Sequence, residues 1–432
     1  MLNIIYESCE AMDKNIKNLF YLFACGAKGE TPIITDALDL QEIYALSVQQ
    51  NIWPVVFLSI KSLYLSGKIQ IDDAQYQAWN NAVLLNIMKN VQKLHNIHEL
   101  LNDFNANDIE HCILKGESLS HLYAYPDSRM SGDVDILVSP KQEEFAMDIL
   151  RKNGVDVEPR FELSHHAHCN SKKYGIIELH TSLYGDLYND IVFHGKITIT
   201  ENPTKMQLSD LYTINTLGIT DGLYYTFAHL IKHFISSGIG IRQIMDLLLY
   251  IKTYKSDIDI VSFQKVMREL KFNKFMDNIL EIGVSYLNFE PSDFYEFSFD
   301  QQTVDAIVND TIKGGIFGRN EDERKEFSNF YMEQRFKFFR TDNYNKYMTD
   351  WRKNAAKKVM SFSKQNIFHK YYYAKDHKIL LPVAYIHHAF YIFSGFIKRL
   401  NRLNKFISYK NPKLTNNVIN RRIELAKRLG MI

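Results

Sequence analysis

The chain has 432 residues, of which 46% are hydrophobic and 23% charged, and its formal net charge is +1. That length holds two or three folding units, and 28 Phe with 26 Tyr supply ample core material, so a disordered chain is excluded. Near-neutral charge argues against a global polyanion binder and against a long nucleic-acid partner, while leaving room for local patches. Cys9, Cys25, Cys112 and Cys169 are widely spaced with no C-x-x-C, so neither a disulfide framework nor a zinc knuckle is indicated. MLNIIYESCEAMDKNIKNLF is punctuated by Glu7, Glu10, Asp13 and Lys14 and lacks a secretory apolar stretch, which points to a cytoplasmic protein.

From Asp39 to about Asn105 apolar residues recur at helical spacing. LQEIYALSVQQ is one run, NIWP breaks it before Pro54, VVFLSIKSLYL resumes it, and NNAVLLNIMKNVQKLHNIHELLNDF extends it. The texture then changes. IEHCILKG, VDILVS and GIIELHTSL are short β-type runs, with helical SLSHLYAY and QEEFAMDILRKNG between them, which predicts a small α/β unit. Beyond Ser209 the helical period returns in DGLYYTFAHLIKHFISS and IRQIMDLLLYIKTY and continues toward the C-terminus. The expected class is α+β, a small mixed-sheet core over 106–205 flanked by helical regions over 1–105 and 206–432. No internal repeat or low-complexity tract is present.

One late segment, ILLPVAYIHHAFYIFSGF from Ile379 to Phe396, carries no formal charge over about the minimum spanning length. Pro382, the His387–His388 pair and Gly395 make it a buried or interfacial helix rather than a membrane span. The tail is basic: Lys398, Arg399, Arg402, Lys405, Lys410, Lys413, Arg421, Arg422, Lys427 and Arg428 face a lone Glu424. It reads as a solvated helical face, with peripheral contact to anionic lipid or a phosphate-rich partner as the rival.

Three stretches of the central unit carry candidate chemistry. In SGDVDILV, Asp133 and Asp135 share one strand face while Val134, Ile136 and Val138 share the other, and such close like charges need a positive partner. A carboxylate pair suits Mg²⁺, which keeps waters and substrate phosphates among its ligands; two exposed strand-edge aspartates are the plainer alternative. In LKGES a strand ends at Gly116 and a helix begins near Ser118, a turn that lets backbone approach an anion. In IIELH, Glu178 stands on the polar face of a strand, and beside VDILV it would complete a three-carboxylate cluster. Two metals held there can activate an attacking hydroxyl and stabilise leaving pyrophosphate.

Other residues carry two readings. Lys115 is a phosphate contact or an exposed strand end. Arg129 contacts phosphate or base through its planar fork, or forms an ion pair with Asp127 or the acids. His180 orients Glu178 or touches substrate, or is a satisfied, half-buried histidine. Alternation places His166 and His168, next to His165, on one face, yet no Cys or acid stands at ligand spacing, so a metal is not expected there. His229 and His233 lie one helical turn apart, as do Arg242 and Asp246, and read as a polar seam between later helices and the α/β unit. Leu230 stands where a zinc-binding HExxH would need Glu.

A Gly-x-Ser turn, a helix, D-x-D on the next strand and an acid on a later strand resemble the DNA polymerase β-like nucleotidyltransferase superfamily. KGESLSHLYAYPDSRMSGDVDILV, IIELHTSL and the H-x3-H and R-x3-D of HLIKHFISSGIGIRQIMDLL are similar to its bacterial branch of uncharacterised nucleotidyltransferases. KILLPVAYIHH and the ending LGMI are similar to its longer members. The resemblance implies an enzyme using Mg²⁺, or Mn²⁺, that moves a nucleoside monophosphate from a nucleoside triphosphate to a hydroxyl acceptor. That acceptor would be a small molecule, a sugar or a protein. By the same resemblance Asp133 and Asp135 hold metal, Glu178 is the third acid, and Gly116 and Ser118 hold the β and γ phosphates. Lys115, Arg129 and His180 would stand near the nucleotide. Glu117, between Gly116 and Ser118, departs from the superfamily's turn and supports the alternative of a fold kept for binding or regulation without catalysis.

Overall fold

The computed structural model describes residues 14–35, 37–158, 165–185, 188–236 and 238–314, then 367, 371, 373–374, 377–393 and 424–431. The expectations for the first thirteen residues, for Gly395 and for the basic tail from Lys398 to Arg422 lie outside the described residues.

Four helices open the chain: α1 (Lys14–Lys28), α2 (Leu40–Gln49), α3 (Trp53–Leu65) and α4 (Asp73–Ala106). Asp39 caps α2 by accepting from the Glu42 N–H at 3.0 Å, and Asp72 caps α4 by accepting from the Gln75 N–H at 3.0 Å. Pro54 sits in the first turn of α3, where its missing N–H costs no helical bond. The long α4 serves two cores. Its Tyr76, Trp79 and Val83 pack with the other helices, whereas Ile97, Leu100, Leu101 and Phe104 cover the sheet.

That sheet has seven strands: β1 (His111–Ile113), β2 (Asp133–Val138), β3 (Asp156–Val157), β4 (His166–Ser171), β5 (Gly175–His180), β6 (Thr204–Gln207) and β7 (Thr213–Thr216). Their order is β3-β4-β5-β2-β1-β7-β6, with β2 parallel to β5, β1 parallel to β7, and the other pairs antiparallel. Between strands stand α5 (Glu117–Ser120) and α6 (Glu143–Lys152). Val134, Ile136 and Val138 are buried in one core with Ala146, Met147 and Leu150 of α6. Strand alternation therefore turns Asp133 and Asp135 the other way, toward α7 (Ile219–Ser236) and α8 (Ile241–Thr253). The helical bundle continues through α9 (Ile260–Glu269), α10 (Asn273–Tyr286) and α11 (Gln301–Gly314). The class is α+β, as the texture of the chain implies.

Two details differ from the sequence reading. SLSHLYAY contains only the single turn α5: the Ser120 hydroxyl donates to the Glu117 carbonyl at 2.8 Å, and the Ala124 N–H leaves to bond the Ala27 carbonyl at 2.8 Å. The sheet also runs past Ser209, because β6 and β7 form an edge hairpin. Residues 381–393 are helical, and among the described residues no helix is long and apolar enough to cross a membrane.

Candidate active site

Register builds the acid cluster. The parallel pairing of β2 with β5 sets Asp135 opposite Glu178 and Asp133 opposite Ile176. On the other side of β2 the Leu114 N–H donates to the Asp135 carbonyl at 3.0 Å, which brings Lys115 alongside. Its ammonium stands 3.3 Å from Asp133 Oδ2 and 3.2 Å from Asp135 Oδ2. Lys115 is thus the positive partner that two aspartates on one strand face require. Burial pushes the Asp133 carboxyl up, but Lys115 more than offsets this and holds it below its ordinary value. His180 bridges the remaining acids, with Nε2 3.0 Å from Asp135 Oδ1 and 3.4 Å from Glu178 Oε2. Burial lowers the His180 pKa, yet its hydrogen bonds to Asp135 and Glu178 and their charges raise it above the ordinary value. For Glu178 burial acts upward, while His180, His166 and Lys115 hold the carboxyl well below the usual range.

The donor set fits a divalent cation. Asp135 is 1% exposed, and its Oδ2 accepts no hydrogen bond although the Lys115 ammonium is in ion-pair range. A buried carboxylate oxygen with only an ammonium beside it, next to a second carboxylate, is the hard oxygen site that Mg²⁺ takes. The ligand atoms of Asp135, Glu178 and His180 lie within 4.8 Å of one another, with Asp133 linked to them through Lys115.

The turn after β1 is held tightly. Gly116 has φ +74°, and a Cβ there would meet Ser131 Oγ at 2.9 Å, so both the backbone and the space call for glycine. Lys115, Gly116 and Asp133 line a cavity of about 60 Å³ whose far wall includes Tyr225, His229 and Arg242. Ser118 is buried and does not line this cavity. Glu117 does not line it either: its Oε1 is 3.0 Å from the Lys93 ammonium of α4. The charge that motivated a reading without catalysis is therefore neutralised by a residue distant in sequence.

Arg129 is paired neither with Asp127 nor with the acids. Its Nε and Nη2 donate to Asp246 Oδ1 and Oδ2 at 2.8 and 2.7 Å, and Nη1 donates to the Gly116 carbonyl at 3.2 Å. The Tyr123 hydroxyl also donates to Asp246 Oδ1, at 2.8 Å. Burial brings these groups together, because α8 packs over the turn and a buried guanidinium needs a planar acceptor. Arg242 donates to the Met130 carbonyl, and the His229 and His233 rings lie 4.5 Å apart, which gives the seam between α7, α8 and the α/β unit.

Sequence reasoning missed an acid for the other histidines, because it comes from the neighbouring strand. Antiparallel pairing of β4 with β5 sets His168 opposite Glu178 and His166 opposite His180. Burial pushes His166 down to about 4 and His165 down to about 2. The shared face of His166 and His168 is legible in their spacing; the strand they pair with is not.

No curated protein matches the chain. A solved structure of a tRNA-processing enzyme in apo form I aligns at 12% identity over 83% of this chain and 99% of that one. The TM-score of that alignment is 0.19. A sequence profile described as uncharacterised nucleotidyltransferase matches residues 36–288, a stretch that takes in the whole sheet, the acid cluster and the helices facing it. The chain belongs to this uncharacterised nucleotidyltransferase family.

Proposed function

We propose that the protein transfers a nucleoside monophosphate from a nucleoside triphosphate to a hydroxyl acceptor and releases pyrophosphate, with Mg²⁺ held by Asp133 and Asp135. The observation that carries this reading is the convergence of Asp133, Asp135 and Glu178 around Lys115 and His180, beside the Gly116 turn. When bound, Mg²⁺ or Mn²⁺ neutralises phosphate charge and acidifies a hydroxyl that it contacts. The acceptor oxygen forms a bond to the α-phosphorus in line as the bond to pyrophosphate breaks. Glu178, kept ionised beside His180, accepts the hydrogen bond of the acceptor hydroxyl, aims it, and takes its proton as the bond to phosphorus forms, passing it on to solvent. Lys115, which pairs with Asp133 and Asp135 here, would be free to meet the phosphates together with the Gly116 backbone where a cation took its place between the acids, and Ser118 would support the turn. Near-neutral charge favours a small metabolite, a sugar or a protein side chain as acceptor over a long nucleic acid.

The test is incubation with each α-labelled nucleoside triphosphate and Mg²⁺ or Mn²⁺ in a host-cell extract, following label and pyrophosphate. Asp133→Ala and Asp135→Asn are each expected to abolish pyrophosphate release while keeping the fold. Wild-type turnover in either variant would remove the metal assignment. Absence of any Mg²⁺–triphosphate binding by calorimetry would remove the catalytic reading.

A further inference from the structure

We infer that His166, His168 and Glu178 form a site for one borderline transition-metal ion of the Zn²⁺ or Co²⁺ class, distinct from the carboxylate site for Mg²⁺. The three side chains come from adjacent strands and project from the same sheet face. His166 Nε2 and His168 Nδ1 each lie 3.8 Å from Glu178 Oε1, beyond hydrogen-bond reach, and His166 Nε2 lies 3.1 Å from His168 Nε2. One ligand atom from each residue falls within 4.8 Å of the others. Metal–ligand bonds of about 2.0–2.2 Å at tetrahedral angles set ligand atoms about 3.3–3.6 Å apart. His168 gives one ion only one nitrogen; with Nε2 in that role, His166 Nε2 lies 3.1 Å from it and 3.8 Å from Glu178 Oε1, and a turn of the half-exposed His168 ring closes the set.

Donor chemistry separates the two sites. Imidazole favours Zn²⁺ and its neighbours, whereas carboxylate oxygens favour Mg²⁺ and Mn²⁺. Two histidines and one carboxylate with a fourth position open is the ligand count of catalytic rather than structural zinc sites. The His168 side chain is 49% exposed, which leaves that fourth position facing solvent. Support from behind is present as well. His165 Nε2 is 3.4 Å from His166 Nδ1, the nitrogen that faces away from the ion, and His180 Nε2 is 3.4 Å from Glu178 Oε2. Outer contacts of this kind fix the tautomer and orientation of ligands. Glu178 would then link the two sites, with one oxygen toward the imidazoles and the other toward the cluster of His180 and Asp135.

The full chain, stripped with chelator, is titrated with Zn²⁺, Mn²⁺ and, as a spectroscopic probe, Co²⁺, in excess Mg²⁺ and without nucleotide. The expected result is one Zn²⁺ or Co²⁺ per chain, with visible Co²⁺ absorption typical of four- or five-coordination. His168→Gln should weaken binding by ~100-fold or more, above the ~10–100-fold loss from removing an outer-shell partner. His166→Gln should act likewise. His95→Gln, which removes a histidine 3.5 Å from Glu99 on α4, serves as control and should bind as wild type does. Because His168 is half exposed, its variant is expected to keep its circular dichroism and melting temperature, so affinity can be read even if His166→Gln fails to fold. Equal affinity in wild type and His168→Gln, or no binding above 1 mM Mg²⁺ competition, would leave a hydrogen-bonded imidazole pair only and overturn the site. Nucleotide plays no part in the readout, so the outcome is separable from the proposed transfer reaction.

Discussion

Lys115 sets the charge balance of the acid cluster. Its ammonium touches both aspartates, one of them fully buried, so replacing it with an apolar group of similar length leaves two close like charges with His180, on Asp135, as their remaining partner. Breaking a buried pair by removing one partner costs about 3–5 kcal/mol; the partial exposure of Asp133 brings the expected cost for Lys115→Met to ~2–3 kcal/mol. Millimolar Mg²⁺ should replace the missing charge. Its addition is therefore expected to raise the melting temperature of Lys115→Met more than that of wild type, in which cation and ammonium compete. An equal rise in both proteins would mean that the ammonium does not hold the metal position. The D-x-D alternation that places the two carboxylates on one face is written in the sequence, because strand geometry alone dictates it. The choice of Lys115 as their partner is not, since it depends on how β1 and β2 are aligned. Arg129 shows the same limit: its need for an acceptor was legible, but Asp246 lies 117 residues away.

At the scale of elements, the turn carrying Gly116 is clamped by α8. Asp246 accepts from the Arg129 guanidinium twice and from Tyr123 once, and Arg129 in turn donates to the Gly116 carbonyl. Asp246→Ala strands a buried guanidinium and is expected to cost about 3–5 kcal/mol, measured by denaturant unfolding. The double variant Arg129→Met, Asp246→Leu should recover most of that loss, and a double-mutant cycle without coupling would show that the pair does not hold the turn. Gly116→Ala adds left-handed backbone strain of about 1–3 kcal/mol and a contact at 2.9 Å, so stability should fall and triphosphate affinity with it. Helices such as α3 and α4 were legible because apolar residues recur at helical spacing and Pro54 marks where one run gives way to the next. The hairpin of β6 and β7 was not. Three of the four residues of β6 are exposed, so TKMQ shows no apolar alternation, and its partner strand is found only in the folded chain.

For the molecule as a whole, two hydrophobic cores meet along α4, and the acid face of the sheet is closed by α7 and α8. Several histidines are wholly or partly buried as well, His111 against Phe104 of α4 and the others on the side of the turn, α7 and α8. Burial lowers His111 within the sheet and His121 beside the turn, drives His229 well below its ordinary value, and brings His233 down from 6.5 to about 3. Each therefore binds a proton more readily in the unfolded chain than in the folded one. The sign follows: their contribution is fully present above about pH 6.5 and is lost as pH falls toward the folded values. Each histidine removes up to about 1.4 kcal/mol of stability per pH unit in that window, so the group acts strongly against a total of about 5–15 kcal/mol. The depressed carboxyls of Asp133 and Glu178 act in the same direction only below about pH 4.5, where unfolded carboxylates begin to protonate. Between pH 6.5 and 5 the histidines act with the opposite sign to Asp277, whose carboxyl burial raises to about 6, so comparison with histidine variants separates the two. Denaturant midpoints of wild type should drop steeply across this interval, and His229→Gln with His233→Gln should flatten the slope. Parallel slopes in the two proteins would show that closure of α7 over the sheet does not keep these imidazoles neutral.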